Sequence, residues 1–214
     1  MSEELTDYES WHEKYAELGS ALHLRLLVVQ DAIALALDSL PAGPVRIISM
    51  CAGQGRDLLP AVARHRRGLD VIGRLVEIDS RNVAHARAQI QHLGLQGLDV
   101  VEGDGGISDS YAGATPAELV LACGIFGNIS DDEVRETIRC MPSMCADGGW
   151  VIWTRFPRSD GVVNKILDWF ADVGYSTVRV VVPDIADMFG VCVVRLTAPP
   201  TPFRMGHRMF HNLL

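Results

Sequence analysis

The stretch "SMCAGQGRDLLP", residues 49–60, sets Gly53 and Gly55 one residue apart, after a short apolar run and before a helical pattern. Glycines at a strand-to-helix turn let the backbone approach a ligand closely, and the N–H groups that open the helix favour an anionic or polar guest. A dinucleotide loop requires G-x-G-x-x-G or a closing alanine, because the third small residue allows tight helix–strand packing. Here that position holds Leu58, and Asp57 in the first helical turn would repel a pyrophosphate. A nucleotide-phosphate loop requires Gly-Lys-Ser/Thr, which occurs nowhere in the chain. A polar cofactor without phosphates fits the loop better, and a plain tight turn is the competing reading.

Two acids extend the loop into a candidate site. Glu77 lies at the end of "RLVEIDS", 24 residues after Gly53, where an acid accepting hydrogen bonds from both ribose hydroxyls is expected. Each such charge-assisted bond is worth about 1.5–3 kcal/mol. Asp79 competes for the role: strand alternation puts both acids on one face, with Glu77 nearer the strand tip. Asp104 follows the next strand in "VEGDGG". An acid there can accept an adenine amino group while the Gly105 N–H meets a ring nitrogen, or it can serve turn chemistry alone.

Short apolar or β-branched runs at 45–50, 72–78, 98–103, 118–123 and 149–154 alternate with helical patterns at 56–67, 80–93, 131–141 and 161–173. This alternation predicts βαβ units, and hence a parallel sheet covered on both faces. Two further strands, 176–183 and 188–197, are separated by a connection too short for a parallel crossover, so they predict an antiparallel pair. Upstream, 8–18 reads as a polar helix and 21–39 as an apolar one. The expected architecture is a three-layer α/β/α doubly wound sheet, with an N-terminal helical cap over 1–40, a core over 41–198 and an irregular tail over 199–214.

The 214 residues are 48% hydrophobic and 21% charged, the balance of one globular domain with a sizeable core. A formal net charge of −8 argues against a nucleic-acid partner, whose phosphates reward a basic face, and towards a small-molecule substrate. The five cysteines, Cys51, Cys123, Cys140, Cys145 and Cys192, form no CxxC pair and no zinc spacing. Cys51, Cys123 and Cys192 lie within apolar runs and read as reduced core thiols of a cytoplasmic protein. His207 and His211 stand four apart without an acidic or cysteine neighbour in the sequence, so no metal site is expected. The acidic, polar first ten residues are not a signal peptide, and the apolar stretch 26–37 is broken by Gln30 and Asp31, so no membrane association is expected. Monomer and homodimer are both open.

With these residues in hand, the chain resembles the class I S-adenosylmethionine-dependent methyltransferases over 45–197, most closely their compact small-molecule members. The family's first motif, acid-x-Gly-x-Gly-x-Gly, maps onto Ser49 to Gly55, with Ser49 in place of the acid and Cys51 in place of the first glycine. Glu77 matches the ribose acid, Asp104 the adenine acid, and "LVLACGIFGNISDDE" the fourth-strand segment whose Ala122 to Gly124 would run along the cofactor. The closing antiparallel pair matches the family's reversed last strand. The resemblance implies methyl transfer to O, N or C, with S-adenosylhomocysteine as product. Its cofactor set here is Tyr15, Arg25, Cys51, Ala52, Gly53, Gly55, Glu77, Ile78, Asp104, Gly105, Cys123 and Gly124. A cofactor-binding protein that does not transfer methyl, regulatory or cyclising, is the alternative; an RNA methyltransferase ranks below it.

Several residues carry a functional and a structural reading together. Trp11 and Tyr15 share a helical face, suited either to a lid contacting substrate and cofactor or to packing on the sheet. His12 is a candidate general base or a surface histidine. Arg25, inside an apolar helix, either snorkels or meets a partner such as the methionine carboxylate. Phe126 and Asn128 follow the fourth strand, where Phe126 would line the substrate and Asn128 would orient an acceptor or cap the next helix. Trp153 and Arg155 follow the fifth, with Trp153 lining the substrate and Arg155 gripping an acidic substrate or forming an ion pair.

Overall fold

Strands that are apolar on both faces must be covered on both sides, and the tertiary structure shows how. A computed structural model describes residues 20–156, 161–182 and 190–211. In chain order the elements are α1 (Ala21–Ser39), β1 (Val45–Ser49), α2 (Leu59–Arg64), β2 (Val71–Glu77), α3 (Ser80–Leu93), β3 (Leu98–Glu102) and β4 (Ala117–Ala122). They continue with α4 (Asp131–Met144), β5 (Cys145–Arg155), α5 (Val162–Asp172), β6 (Tyr175–Val181) and β7 (Gly190–Leu196). The seven strands form one sheet in the order β3-β2-β1-β4-β5-β7-β6. Strands β1 to β5 pair in parallel, and β7 runs antiparallel between β5 and β6, as the short connection predicts.

Alternation along the central strands sends Ile47, Leu119, Ile152 and Val193 to one face and Ile48, Val120, Val151 and Cys192 to the other. Helices α1, α2 and α3 cover the first face through Val29, Ile33, Leu59, Val62 and Val83. Helices α4 and α5 cover the second through Val134, Ile138, Ile166 and Phe170. This is the expected three-layer α/β/α arrangement. Strand order reverses between β1 and β4, which opens a crevice at the carboxyl ends of those strands.

Three local expectations change. The helix anticipated over 56–67 is only Leu59–Arg64, because the glycine loop runs on to Leu58 and Pro60 stands at the first turn. Strand β5 starts earlier than its apolar core, at Cys145, directly off α4. The 21–39 helix, grouped by sequence with the cap, is a core helix, with Val29, Ile33, Ala36 and Leu37 fully buried.

The α1–β1 connection is fixed by a buried cation rather than by apolar contact. Arg67 donates to the carbonyls of Leu37, Leu40, Pro41 and Gly43 at 2.7, 2.8, 2.7 and 3.0 Å, and to Asp70 at 3.3 Å. Truncation would leave several carbonyls without a donor, each a desolvation cost of about 1–3 kcal/mol. Arg67→Ala is therefore expected to cost about 3–5 kcal/mol of stability, read as a lowered denaturant midpoint with an unchanged slope.

Candidate active site

The glycine loop begins where β1 runs out of partners. Met50 N–H donates to Leu121 O and Ala52 N–H to Val76 O, both at 2.9 Å, so the chain stays anchored between β4 and β2 as it turns. Cys51, Gly53 and Gly55 all take left-handed backbone, with φ of 46°, 54° and 72°. A Cβ on Gly55 would fall 2.7 Å from Leu59 Cδ1 and 3.0 Å from Leu75 Cδ2, so only glycine fits there. Cys51 is the one described non-glycine residue with positive φ, a conformation that costs an L side chain about 1–2 kcal/mol. Its sulfur fills the space that Gly105 leaves, since a Cβ at Gly105 would lie 2.7 Å from Cys51 Sγ.

Glu77 is the acid of this loop. It is 8% exposed, and its Oε2 accepts the Gly53 N–H at 2.7 Å. Its Oε1 accepts the Ile78 and Asp79 N–H groups at 3.0 and 2.9 Å. The carboxylate has about four lone-pair positions, so an acceptor position remains beside the loop. The rival Asp79 is spent on α3, capping it through Arg81 N–H at 2.8 Å and pairing with the Arg81 guanidinium at 2.9 Å. Those Arg81 hydrogen bonds hold its carboxyl below the usual value. Ile78, next to Glu77, is 60% exposed and offers the crevice an apolar face.

Asp104 performs turn chemistry and more. Its Oδ1 accepts Gly106 N–H at 2.7 Å, while Oδ2 pairs with the guanidinium of Arg208. Among the described residues, the tail that carries Arg208 holds no helix or strand of its own, and it packs against the fold. Met209 N–H donates to Gly106 O at 2.8 Å and Ser108 N–H to His207 O at 2.9 Å, and Met209 and Phe210 are buried. His207 and His211 do have acidic neighbours across the fold: Glu136 at 2.9 Å and Glu133 at 3.1 Å.

On the other side of the loop, α1 delivers Arg25, 3% exposed, to the ends of β4 and β5. Arg25 donates to Thr154 Oγ1 at 3.4 Å, and the same oxygen accepts Gly124 N–H at 2.8 Å. Asn128 donates to the Gly124 carbonyl at 2.7 Å, so Gly124, with φ of 79°, is held at both ends of its peptide unit. Asn128 does not cap α4; Ser130 does, in a capping box with Glu133. Burial raises the carboxyl of Asp57, and Arg25 opposes that shift. Burial also lifts the Cys123 and Cys51 thiols, with Asp57 adding to the first and Glu77 and Asp104 to the second. Both cysteines are neutral thiols at neutral pH and are unsuited to act as nucleophiles.

Glu77, Ile78, Asp104, Gly105, Cys123, Gly124, Arg25 and Asn128 thus share one edge of the sheet with Cys51, Ala52, Gly53 and Gly55. Arg155 joins them at the end of β5 and is 5% exposed. The expectation that Phe126 and Trp153 line a substrate is not met here, since both are fully buried. Their rings pack at 5.8 Å, and Trp153 stacks on Phe170 at 5.9 Å, because alternation along β5 turns position 153 into the α4–α5 layer. Trp11, His12 and Tyr15 lie outside the described residues. Sequence reasoning missed Thr154 and Arg208; neither carries a local signal, since each acquires its role only from a partner distant in the chain.

Comparison with known proteins agrees with this geometry. A family described as "Putative methyltransferase" matches residues 20–164. No curated protein sequence matches the chain. Among solved structures, magnesium protoporphyrin IX methyltransferase from Synechocystis PCC 6803 with bound S-adenosylmethionine is similar, with a TM-score of 0.68 at 14% identity, covering 90% of this chain and 92% of that one. An O-methyltransferase family protein from Burkholderia thailandensis is similar at a TM-score of 0.67 and 15% identity, over 90% of this chain and 61% of that one. The cyclase SpnF is similar at 0.57 and 14%, over 80% of this chain and 82% of that one.

Proposed function

The chain belongs to this methyltransferase family, and from that premise we propose that it transfers a methyl group from S-adenosylmethionine to an O, N or C atom of a small molecule. The observation that carries the reading is Glu77, a buried carboxylate at the tip of β2 tied to the N–H of Gly53 in the glycine loop. The residues present fit the cofactor. Glu77 offers an acceptor for ribose hydroxyls, Ile78 an apolar face for a purine, and Asp104 with Gly105 its polar edge. Gly55 packs directly on Leu59 and Leu75 and Gly105 on Cys51, which draws the glycine loop close against β2 and the end of β3. At the opposite end, Arg25 suits the methionine carboxylate and Asp57 its ammonium group, with Cys51, Ala52, Cys123 and Gly124 supplying backbone between them.

The cofactor, when bound, brings both the methyl group and its leaving group as a sulfonium. The protein's task is to hold the acceptor in line and dry, an orientation effect worth up to about 7–11 kcal/mol. Asn128, braced on Gly124, and Arg155, at the end of β5, stand where an acceptor would approach. From the sequence alone, His12 is proposed for an acid–base role, Tyr15 for a cofactor contact and Trp11 for a substrate contact. The acidic net charge supports a small-molecule rather than a nucleic-acid acceptor. The free state of all five cysteines supports a reducing, cytoplasmic setting. No described helix is long and apolar enough to cross a membrane. Monomer and homodimer both accommodate the site, which draws on one chain.

The likeness to a cyclase and the replacement of the motif's first glycine by a strained Cys51 favour one second reading, in which the cofactor is bound but its methyl is retained. Calorimetric titration with S-adenosylmethionine, S-adenosylhomocysteine and NAD tests the premise: micromolar binding of the first two and none of the third is expected. Binding of NAD alone would overturn it. Accumulation of S-adenosylhomocysteine during turnover of a small-molecule panel separates methyl transfer from the second reading.

A further inference from the structure

The two tail histidines lack a cysteine or acidic neighbour in the sequence, yet the fold brings one of them both. Glu136 and Cys140 are four residues apart on α4, so they project from one helical face, and the tail lays His207 across them. The carboxylate oxygen, thiol sulfur and imidazole nitrogen of these half-buried residues all lie within 4.8 Å of one another. We propose that Glu136, Cys140 and His207 form a three-ligand site for a divalent transition metal ion of the zinc class. The site stands apart from the methyl-transfer crevice and does not depend on that reading.

The geometry and the donor set both point this way. Metal–ligand bonds of about 2.0–2.3 Å in a tetrahedron space the ligand atoms about 3.3–3.8 Å apart, so small side-chain rotations close the observed spacing around an ion. His207 Nε2 faces Glu136 Oε1 at 2.9 Å, while Glu136 Oε2 is taken by Arg139 at 3.1 Å. One carboxylate oxygen is therefore aimed into the cluster and the other is anchored outside it. A thiol, an imidazole and one carboxylate favour zinc or cobalt over magnesium or calcium, which prefer oxygen alone.

The ion would staple the tail to α4. The residue after His207 is Arg208, which pairs with Asp104 at the edge assigned to the adenine, so the staple also steadies that edge. The fourth position is left to water.

The test uses the full chain without an affinity tag, stripped with a chelator. Zinc is expected to bind calorimetrically at one ion per chain with micromolar or tighter affinity, releasing a proton from Cys140. Cobalt is expected to give a thiolate-to-metal charge-transfer band. Cys140→Ser and His207→Asn should each weaken zinc at least tenfold while circular dichroism stays unchanged. Should Cys140→Ser fail to fold, zinc protection of Cys140 against alkylation, read by mass spectrometry in the wild-type chain, takes its place. No binding, affinity undiminished in His207→Asn, or equal alkylation with and without zinc would overturn the proposal.

Discussion

Glu77→Ala is expected to weaken S-adenosylmethionine binding by about 10–100-fold, the equivalent of one or two charge-assisted hydrogen bonds to ribose. The same substitution removes the acceptor for the N–H groups of Gly53, Ile78 and Asp79, so the glycine loop loses its side-chain tie to β2 and the melting temperature falls as well. Glu77→Gln separates the two effects. The amide keeps an acceptor oxygen for part of the backbone network but loses the charge, so its stability should recover further than its affinity. The measurements are a calorimetric dissociation constant and a thermal melt for each variant. An affinity that survives both substitutions with the fold intact would remove Glu77 from the ribose and leave it as a loop brace alone.

The second large effect is expected at the methionine end. Arg25→Met keeps the buried apolar stem but removes the cation that sits with Thr154, Gly124 and Asp57. Loss of a charge-assisted contact to the methionine carboxylate predicts at least tenfold weaker binding of S-adenosylmethionine and S-adenosylhomocysteine. Adenosine lacks that carboxylate, so its affinity should stay close to wild type. If adenosine and S-adenosylmethionine weaken in parallel, Arg25 serves the fold rather than the ligand. The substitution also removes the charge that opposes the rise of the Asp57 carboxyl, so Asp57 should take up its proton at still higher pH. That shift is readable in the pH dependence of cofactor affinity.

What the chain shows on its own is what physics encodes locally. Short apolar or β-branched runs over 45–50 and 118–123 demand strands, and the helices over 21–39 and 80–93 follow from local patterning and from caps lying within a few residues of their ends. The alternation of these elements, with right-handed crossovers, leaves few topologies open. Glycines at 53 and 55 are legible for the same reason, since their φ values are a local demand of the turn. Glu77 is legible because its distance from the loop is set by one βαβ unit.

Tertiary structure alone decided the rest, because those roles depend on pairings across long stretches of chain. Arg25 meets Thr154 across 129 positions and Asp104 meets Arg208 across 104, and no local period records such distances. Phe126 and Trp153 show why nearness to a strand end misleads: alternation along β5 buries the Trp153 ring, and the turn after β4 folds Phe126 back onto Trp153 and Phe170. The tail reads as irregular because it holds no periodic element, yet it is ordered by side chains of α4 and by the backbone around Gly106. Its histidines acquire an acid and a thiol only once α4 and the tail are packed together, so a metal site invisible in the sequence becomes visible in the fold.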